Sequence, residues 1–228
     1  MDRSPQAVDR SPQAAGFPAA VLFDHDGTLV DSEPQWAVAK RAVAARYGVA
    51  WETEDDLLTL GKTVPTSAAL MVERGAAGTV EGITAELGRE VADALTGEVP
   101  FLPGMRELLD ELAAAGIPGA VVTNALTVVA EGTASGAPEV LRVVVSQEDV
   151  EHPKPHPEPY LLAARRLGVD PARCVAIEDS QTGAASAAAA GMPVVVVPGE
   201  LAVAPAPGLV LVDSHTDVTL AFLRSLGT

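Results

Sequence analysis

Disulfides have no place in this chain. Its 228 residues include one cysteine, Cys174, which excludes an intrachain bridge and points to a reducing, cytoplasmic setting. Aromatic residues are scarce at 4 %, so a core has to be assembled from Ala, Val and Leu. A hydrophobic content of 48 % supplies enough for one large domain, or for a core domain carrying a smaller insert. Basic residues are outnumbered: 15 Lys and Arg stand against 31 Asp and Glu, a formal net charge of −16. Such a balance repels a phosphate backbone and excludes nucleic acid as a general partner. An anionic small molecule would need local cations or a metal. A long apolar run is missing as well. The most apolar late stretch, 193–212, is interrupted by Pro198, Gly199, Glu200, Pro205, Pro207 and Gly208, so no membrane span is expected. The first 17 residues show no apolar stretch of the kind a secretory signal requires.

What the chain does have is organised. Asp-Arg-Ser-Pro-Gln-Ala occurs at 2–7 and again at 9–14; two short copies make no solenoid, and 1–17 reads as a disordered tail. Continuous apolar runs of strand length follow at 19–24, 118–124, 141–147, 174–179 and 193–198. Val-rich runs without alternation suit parallel strands covered on both faces. Between them lie helical patterns: Met105, Leu108, Leu109 and Leu112 fall on one face, with Gly116 as a stop. From 101 onward the strand–helix alternation predicts an α/β fold, a doubly wound parallel sheet. Residues 33–99 carry no Val-rich strand and much helical patterning, including Trp36, Ala39, Val43 and Tyr47 ahead of Gly48. They read as an all-α insert, with a long helical crossover as the alternative. The expected units are a core of 18–32 and 100–228 and a helical segment of 33–99.

In open α/β sheets ligands bind at the carboxyl ends of the strands. The first run delivers Asp24 and Asp26 there, the second Thr123 and Asn124, the fourth Glu178 and Asp179, and the segment after the third supplies Lys154. Four carboxylates cannot share one edge uncompensated. A hard divalent cation is implied, and oxygen-only ligands suggest Mg²⁺; the lone lysine then suits a phosphate. Each piece has a plainer reading. Asp-Gly after a strand is commonly a hairpin turn, Thr123 can cap a helix, Glu178-Asp179 can cap the next one, and Lys154 alone can be a surface lysine. An EF-hand loop is excluded, because Thr28, Leu29 and Gln35 stand at its fifth, sixth and twelfth positions.

"FDHDGTLVDSE", "VVTN", "HPKPHPEPY" and "VAIEDSQTGAASAAAAGMPVVVV" together resemble the four motifs of the haloacid dehalogenase superfamily, closest to its β-phosphoglucomutase-like phosphatases. The resemblance spans roughly 19–200. It implies a Rossmann-like core, a helical cap inserted after the first motif, and a Mg²⁺-dependent phosphatase. Asp24 matches the family nucleophile, which forms an aspartyl-phosphate and touches the metal. Asp26 matches the general acid/base, whose backbone carbonyl also ligates Mg²⁺. Thr123 and Lys154 match phosphate contacts, with Asn124 carried beside them. Asp179 matches a metal ligand, and Glu178 an acid that reaches the metal through water.

The implied substrate is a small phosphorylated metabolite, a sugar or polyol phosphate, handled by a monomer or at most a weak homodimer. Two alternatives accompany this reading: a hexose phosphomutase and a non-catalytic phosphate-binding protein. Mutases of the family carry a histidine shortly after the Asp-Ser/Thr pair; here Trp36 stands in that place, and His25, His152, His156 and His215 all lie outside 33–99. Lys62, in "LGKTVPTS", is the candidate substrate contact from the helical segment, with a solvated lysine as its plain alternative. Gly97 and Pro100–Pro103, with 31–35, are the expected hinges. His25 is expected to point away from its flanking acids by strand alternation. No metal spacing is evident around His152 and His156, "DSHTD" reads as a turn, and Cys174 as inert core.

Overall fold

A computed structural model describes residues 16–59, 62–95 and 99–227. The duplicated segment at 2–14, Gly97, and Leu60-Gly61 of the Lys62 loop lie outside those residues. Six parallel strands form one sheet: β1 (Ala20–Phe23), β2 (Gly119–Val122), β3 (Leu141–Val145), β4 (Cys174–Glu178), β5 (Val194–Val196) and β6 (Leu209–Leu211). Their order, β3-β2-β1-β4-β5-β6, is that of a doubly wound Rossmann-like α/β fold. The strand order reverses beside β1, between β2 and β4, where such folds place their ligands. Five of the strands are those the apolar runs predict. β6 is an additional edge strand of three residues, half-buried to exposed, so its segment carries little of the apolar signal.

β1 shows why its sequence does not alternate. All four residues are buried, but Val21 and Phe23 pack with Leu108, Leu109 and Leu112 of α5 (Met105–Ala115). Ala20 and Leu22 face the other way, onto Tyr160 and Ala163 of α7 (Glu158–Leu167) and Ala184 and Ala187 of α8 (Gln181–Ala189). Period-2 geometry with helices on both faces demands an apolar residue at every position. α5 ends as its sequence requires, on Gly116 in the left-handed region at φ +67°. Cys174 opens β4, buried; burial, with Asp170 nearby, pushes its thiol up to about 12, which leaves it unreactive.

Between β1 and α5 the chain forms α1 (Glu33–Arg46), α2 (Thr53–Thr59), α3 (Val64–Glu73) and α4 (Val80–Leu95). Trp36, Val43, Met71, Ile83 and Leu87 build a third hydrophobic cluster, which extends into Leu126 and Val129 beside and within α6 (Thr127–Ala134). α4 approaches that region closely through Gly88, where an added Cβ would stand 2.4 Å from the Leu126 Cδ1. The two connections to the helices run side by side. Val30 bridges Phe101 in antiparallel fashion, with Asp31 N–H donating to Pro100 O at 3.0 Å and Leu102 N–H to Leu29 O at 3.0 Å.

Candidate active site

The carboxyl edge of the sheet carries the acids. Asp24 follows β1 directly, its backbone N–H donating to Ile177 O at 2.9 Å, which locks it beside the end of β4. Gly27 then turns the chain at φ +77°, a region side chains avoid. A Cβ there would stand 2.4 Å from Asp179 Oδ2, and one at Gly199 would stand 2.7 Å from the same oxygen. Asp179 thus lies between two bare stretches of backbone. Carboxylate oxygens of Asp24, Glu178 and Asp179 lie within 4.8 Å of one another.

Lys154 is the cation of this cluster. Its Nζ stands 2.6 Å from Asp24 Oδ1 and 2.6 Å from Glu178 Oε1, with the lysine side chain 3 % exposed. Burial opposes its charge, but Asp24 and Glu178 hold the ammonium above the ordinary lysine range. Glu178 is fully buried and saturated: Oε1 also accepts from Tyr160 OH at 2.6 Å, and Oε2 from Ser180 Oγ at 3.0 Å. Tyr160 and Ser180 are additions to the expected set, each a polar atom at the start of an otherwise Ala- and Leu-rich helix. One lysine does not balance three acids. Burial, helped by Glu178 and Asp179 and opposed by Lys154, pushes Asp24 up to about 8. Burial and then Glu178 push Asp179 up to about 6. Oxygen-only donors with uncompensated negative charge fit a hard divalent cation, and the cluster is a group that could hold one.

The Asp26 carboxylate stands apart from that group. It accepts from Ser32 Oγ and, at 3.4 Å, from Trp36 Nε1, and His25 Nδ1 lies 3.0 Å from its Oδ1. Burial works to raise Asp26, but the His25 charge and the donors Ser32 and Trp36 outweigh it and hold the carboxyl at about 2. His25 therefore corrects the alternation argument. β1 ends at Phe23, so strand geometry no longer applies two residues on, and the ring turns inward to meet Asp26 and, at 2.7 Å, Thr133 Oγ1 on α6. His215, from the segment expected to be a turn, sits in a 3₁₀ turn (His215–Asp217) and its Nε2 is 3.0 Å from Gly27 O.

The remaining expected contacts surround a cavity of about 510 Å³ between the sheet edge and the helices, lined by Asp24, Asp26, Thr123, Asn124, Lys154 and Asp179 on one side. Thr123 is buried, and its Oγ1 accepts from Ala125 N–H at 2.9 Å. Asn124 spends its amide on Lys154 instead: Oδ1 accepts Lys154 N–H at 3.2 Å and Nδ2 donates to Lys154 O at 3.4 Å, which steadies the lysine's loop. From the helices come Trp36, exposed Lys62 and the buried Lys40. Lys40 is an addition to the expected set; its Nζ donates to Thr59 Oγ1 at 3.3 Å and stands 4.0 Å from Asp56. A single lysine in a helical pattern carries no signal that it turns toward a cavity.

A Rossmann-like sheet with an acid cluster and the buried Lys154 at its carboxyl edge, facing helices across a cavity, is the framework of an α/β enzyme whose acids could hold a hard cation. The chain belongs to the haloacid dehalogenase-like hydrolases: the model of that family matches residues 18–191. It is a phosphoric monoester hydrolase, which removes the non-catalytic alternative. Hexitol phosphatase A of Escherichia coli (strain K12) is 40 % identical over 183 residues, 77 % of this chain and 81 % of that protein. Protein CbbY of Rhodobacter capsulatus is 33 % identical over 194 residues, 79 % and 86 % of the two chains. The crystal structure of CbbY from Rhodobacter sphaeroides in complex with phosphate matches with a TM-score of 0.76 at 30 % identity, covering 90 % of this chain and 98 % of that one. Among the described residues no helix is long and apolar enough to cross a membrane.

Proposed function

We propose that this chain is a Mg²⁺-dependent phosphatase of a small phosphomonoester, a sugar or polyol phosphate, working through a phosphoryl group carried on Asp24. The observation that carries the reading is Lys154 Nζ at 2.6 Å from both Asp24 and Glu178, facing a cavity of about 510 Å³. An Asp24 oxygen attacks phosphorus as the P–O bond to the alcohol breaks, and Asp26 supplies the proton the alkoxide needs. Water then attacks the phosphorus, Asp26 takes its proton, and inorganic phosphate leaves with Asp24 restored. As it stands, Asp26 is held ionised, by His25 first and then by Ser32 and Trp36, the state suited to the second step. Lys154, with Thr123, neutralises and orients the phosphoryl oxygens, while Asn124 and Glu178 hold Lys154 in place.

Asp24, the backbone carbonyl of Asp26 and Asp179 would hold Mg²⁺, with Glu178 beyond them through water. When bound, the ion supplies charge neutralisation for a carboxylate approaching a phosphate dianion. Residues 33–99 act as a cap over a core of 18–32 and 100–228, with the paired connections at Val30 and Phe101 as hinges. The cap excludes bulk water from the phosphoryl intermediate. Lys62 and Lys40 then face the alcohol portion of the substrate. The buried cysteine agrees with a cytoplasmic setting. The hexitol phosphatase among the relatives supports the polyol phosphate class. Trp36 beside Asp26 speaks against the phosphomutase alternative, since it fills the place of the mutase histidine.

The test is phosphate release from a panel of sugar and polyol phosphates with Mg²⁺ and no bisphosphate activator. Wild type turns over at least one of them, and Asp24→Asn loses at least about 10⁴-fold in kcat, the scale of nucleophile removal. Retained turnover in Asp24→Asn removes Asp24 as nucleophile, and strict dependence on a bisphosphate restores the mutase reading.

A further inference from the structure

A second group of metal-ligating side chains lies on the outer side of the loop that carries Lys154. His152, His156 and Glu158 each offer one ligand atom, and those atoms fall within 4.8 Å of one another. Glu158 Oε2 is 3.0 Å from His152 Nδ1 and 3.9 Å from His156 Nδ1. The two rings lie 4.7 Å apart between centroids, tilted by 35°. Both histidine side chains are more than half exposed, at 57 % and 51 %. The carboxylate is fixed where the rings reach it, because Glu158 also accepts the backbone N–H of Glu151 and of His152, each at 3.1 Å. His-x₃-His is a spacing that zinc sites use, which corrects the expectation that no metal spacing is evident here, and the fold of the loop brings Glu158 to the two rings.

We propose that His152, His156 and Glu158 form a second metal site, taken by a late first-row divalent ion of the Zn²⁺ kind and chemically distinct from the acid cluster. The donor sets separate the two. The inner cluster offers oxygen alone, which suits Mg²⁺, whereas two imidazoles and one carboxylate suit Zn²⁺, Ni²⁺ or Cu²⁺. Three protein ligands leave a fourth position for water, as in many open tetrahedral zinc sites. Ligand atoms about a tetrahedral zinc stand about 3.3 Å apart, given metal–ligand distances near 2.0 Å. Closing to that spacing calls for the exposed rings to rotate, with His156 Nδ1 giving up the Glu158 backbone N–H it accepts at 3.3 Å. The ion would tie the segment on either side of Lys154 to the first turn of α7, bracing the loop from outside while Lys154 reaches inward.

The experiment uses the full chain with any affinity tag removed and with saturating Mg²⁺ present to occupy the acid cluster. Calorimetric titration with Zn²⁺ should show one equivalent bound per chain, and Co²⁺ in its place should give visible d–d absorption. The double variant His152→Ala/His156→Ala should lose that equivalent, its affinity falling by more than the about tenfold that loss of an outer-shell partner costs. It should keep its Mg²⁺-dependent turnover, which shows that it is folded. Zinc should also raise the melting temperature of wild type and leave that of the variant unchanged. Absence of a zinc equivalent in wild type overturns the proposal. So does undiminished binding by the double variant, which would put the ion on the acids or on His215. Neither result bears on the phosphatase reading.

Discussion

Replacing Lys154 by Met keeps the length of the side chain and removes its charge from between Asp24 and Glu178, each 2.6 Å away. Removing one partner of a buried ion pair costs about 3–5 kcal/mol, because the other charge stays behind without compensation. Glu178 retains Tyr160 and Ser180 as donors, and the acids can take up a proton in place of the ammonium. Both effects place the loss near the lower end, about 3 kcal/mol, or roughly 6–12 °C in melting temperature for a chain of this size. Proton uptake also fixes the pH dependence. Acids whose folded pKa rises stabilise at low pH and lose that contribution as pH climbs. The deficit of Lys154→Met should therefore shrink on acidification, by about 1.4 kcal/mol per pH unit where one extra proton is bound.

Urea melts of metal-free wild type and variant between about pH 6 and pH 8 read this directly. Circular dichroism is the suitable probe, since both tryptophans, Trp36 and Trp51, belong to the helical segment's cluster and would report that region alone. The catalytic counterpart is a loss of about 10²–10³ in kcat, the scale of removing one preorganised donor from a developing charge. A stability deficit below about 1 kcal/mol, or one unchanged by pH, would refute the view that Lys154 compensates the acids.

Mg²⁺ should stabilise more as pH rises. Without a cation, Asp24 near 8 and Asp179 near 6 bind protons more tightly folded than unfolded, so metal-free stability falls as pH climbs through those values. Ligation needs both acids ionised and removes that penalty. A melting-temperature gain from Mg²⁺ that is flat or shrinking between about pH 5 and pH 8.5 would contradict this, and EDTA should abolish turnover until Mg²⁺ is returned. Gly27→Ala should cost about 1–3 kcal/mol from its positive φ and weaken Mg²⁺ dependence severalfold, because the new Cβ lands on Asp179; thermal melts and a Mg²⁺ titration of activity check both. Lys40→Met should raise KM for the preferred substrate severalfold while changing kcat little, as expected of a group that binds the substrate away from the reacting phosphate. A fall in kcat alone would place Lys40 elsewhere in the cycle.

How much of the fold was legible follows from which positions burial constrains. β1, β2, β4 and β5 are buried at every residue, and apart from Glu178 at the end of β4 they carry no charged residue to obscure the run, so the parallel sheet follows from them. β6 sits at the edge with half-exposed residues just after Pro205, Pro207 and Gly208, where packing asks little of composition. α2 is seven residues of mixed polarity, too short for a periodic face to stand out. The long helices α4 and α5 announce themselves by spaced Leu, Val and Ile. α1 does so less, since its buried face includes two alanines and the polar Lys40.

The site divides along a different line. Residues delivered by strand ends were legible because topology alone collects them: Asp24, Glu178 and Asp179 meet because β1 and β4 are neighbours. What lay outside the reach of sequence is the assignment of partners once they have met. Glu178 and Asp179 are adjacent acids, yet period-2 geometry sends one into the core, where Lys154, Tyr160 and Ser180 close on it, and leaves the other against Gly27 and Gly199 with its charge uncompensated. The same reasoning fails for His25, where the strand has already ended and local turning replaces alternation. Adjacent like charges therefore do different work here, decided by which groups arrive from distant segments. Lys154 and Tyr160 belong to a loop and helix more than a hundred residues from Asp24, and they make Glu178 the anchor of the lysine that stands over Asp24.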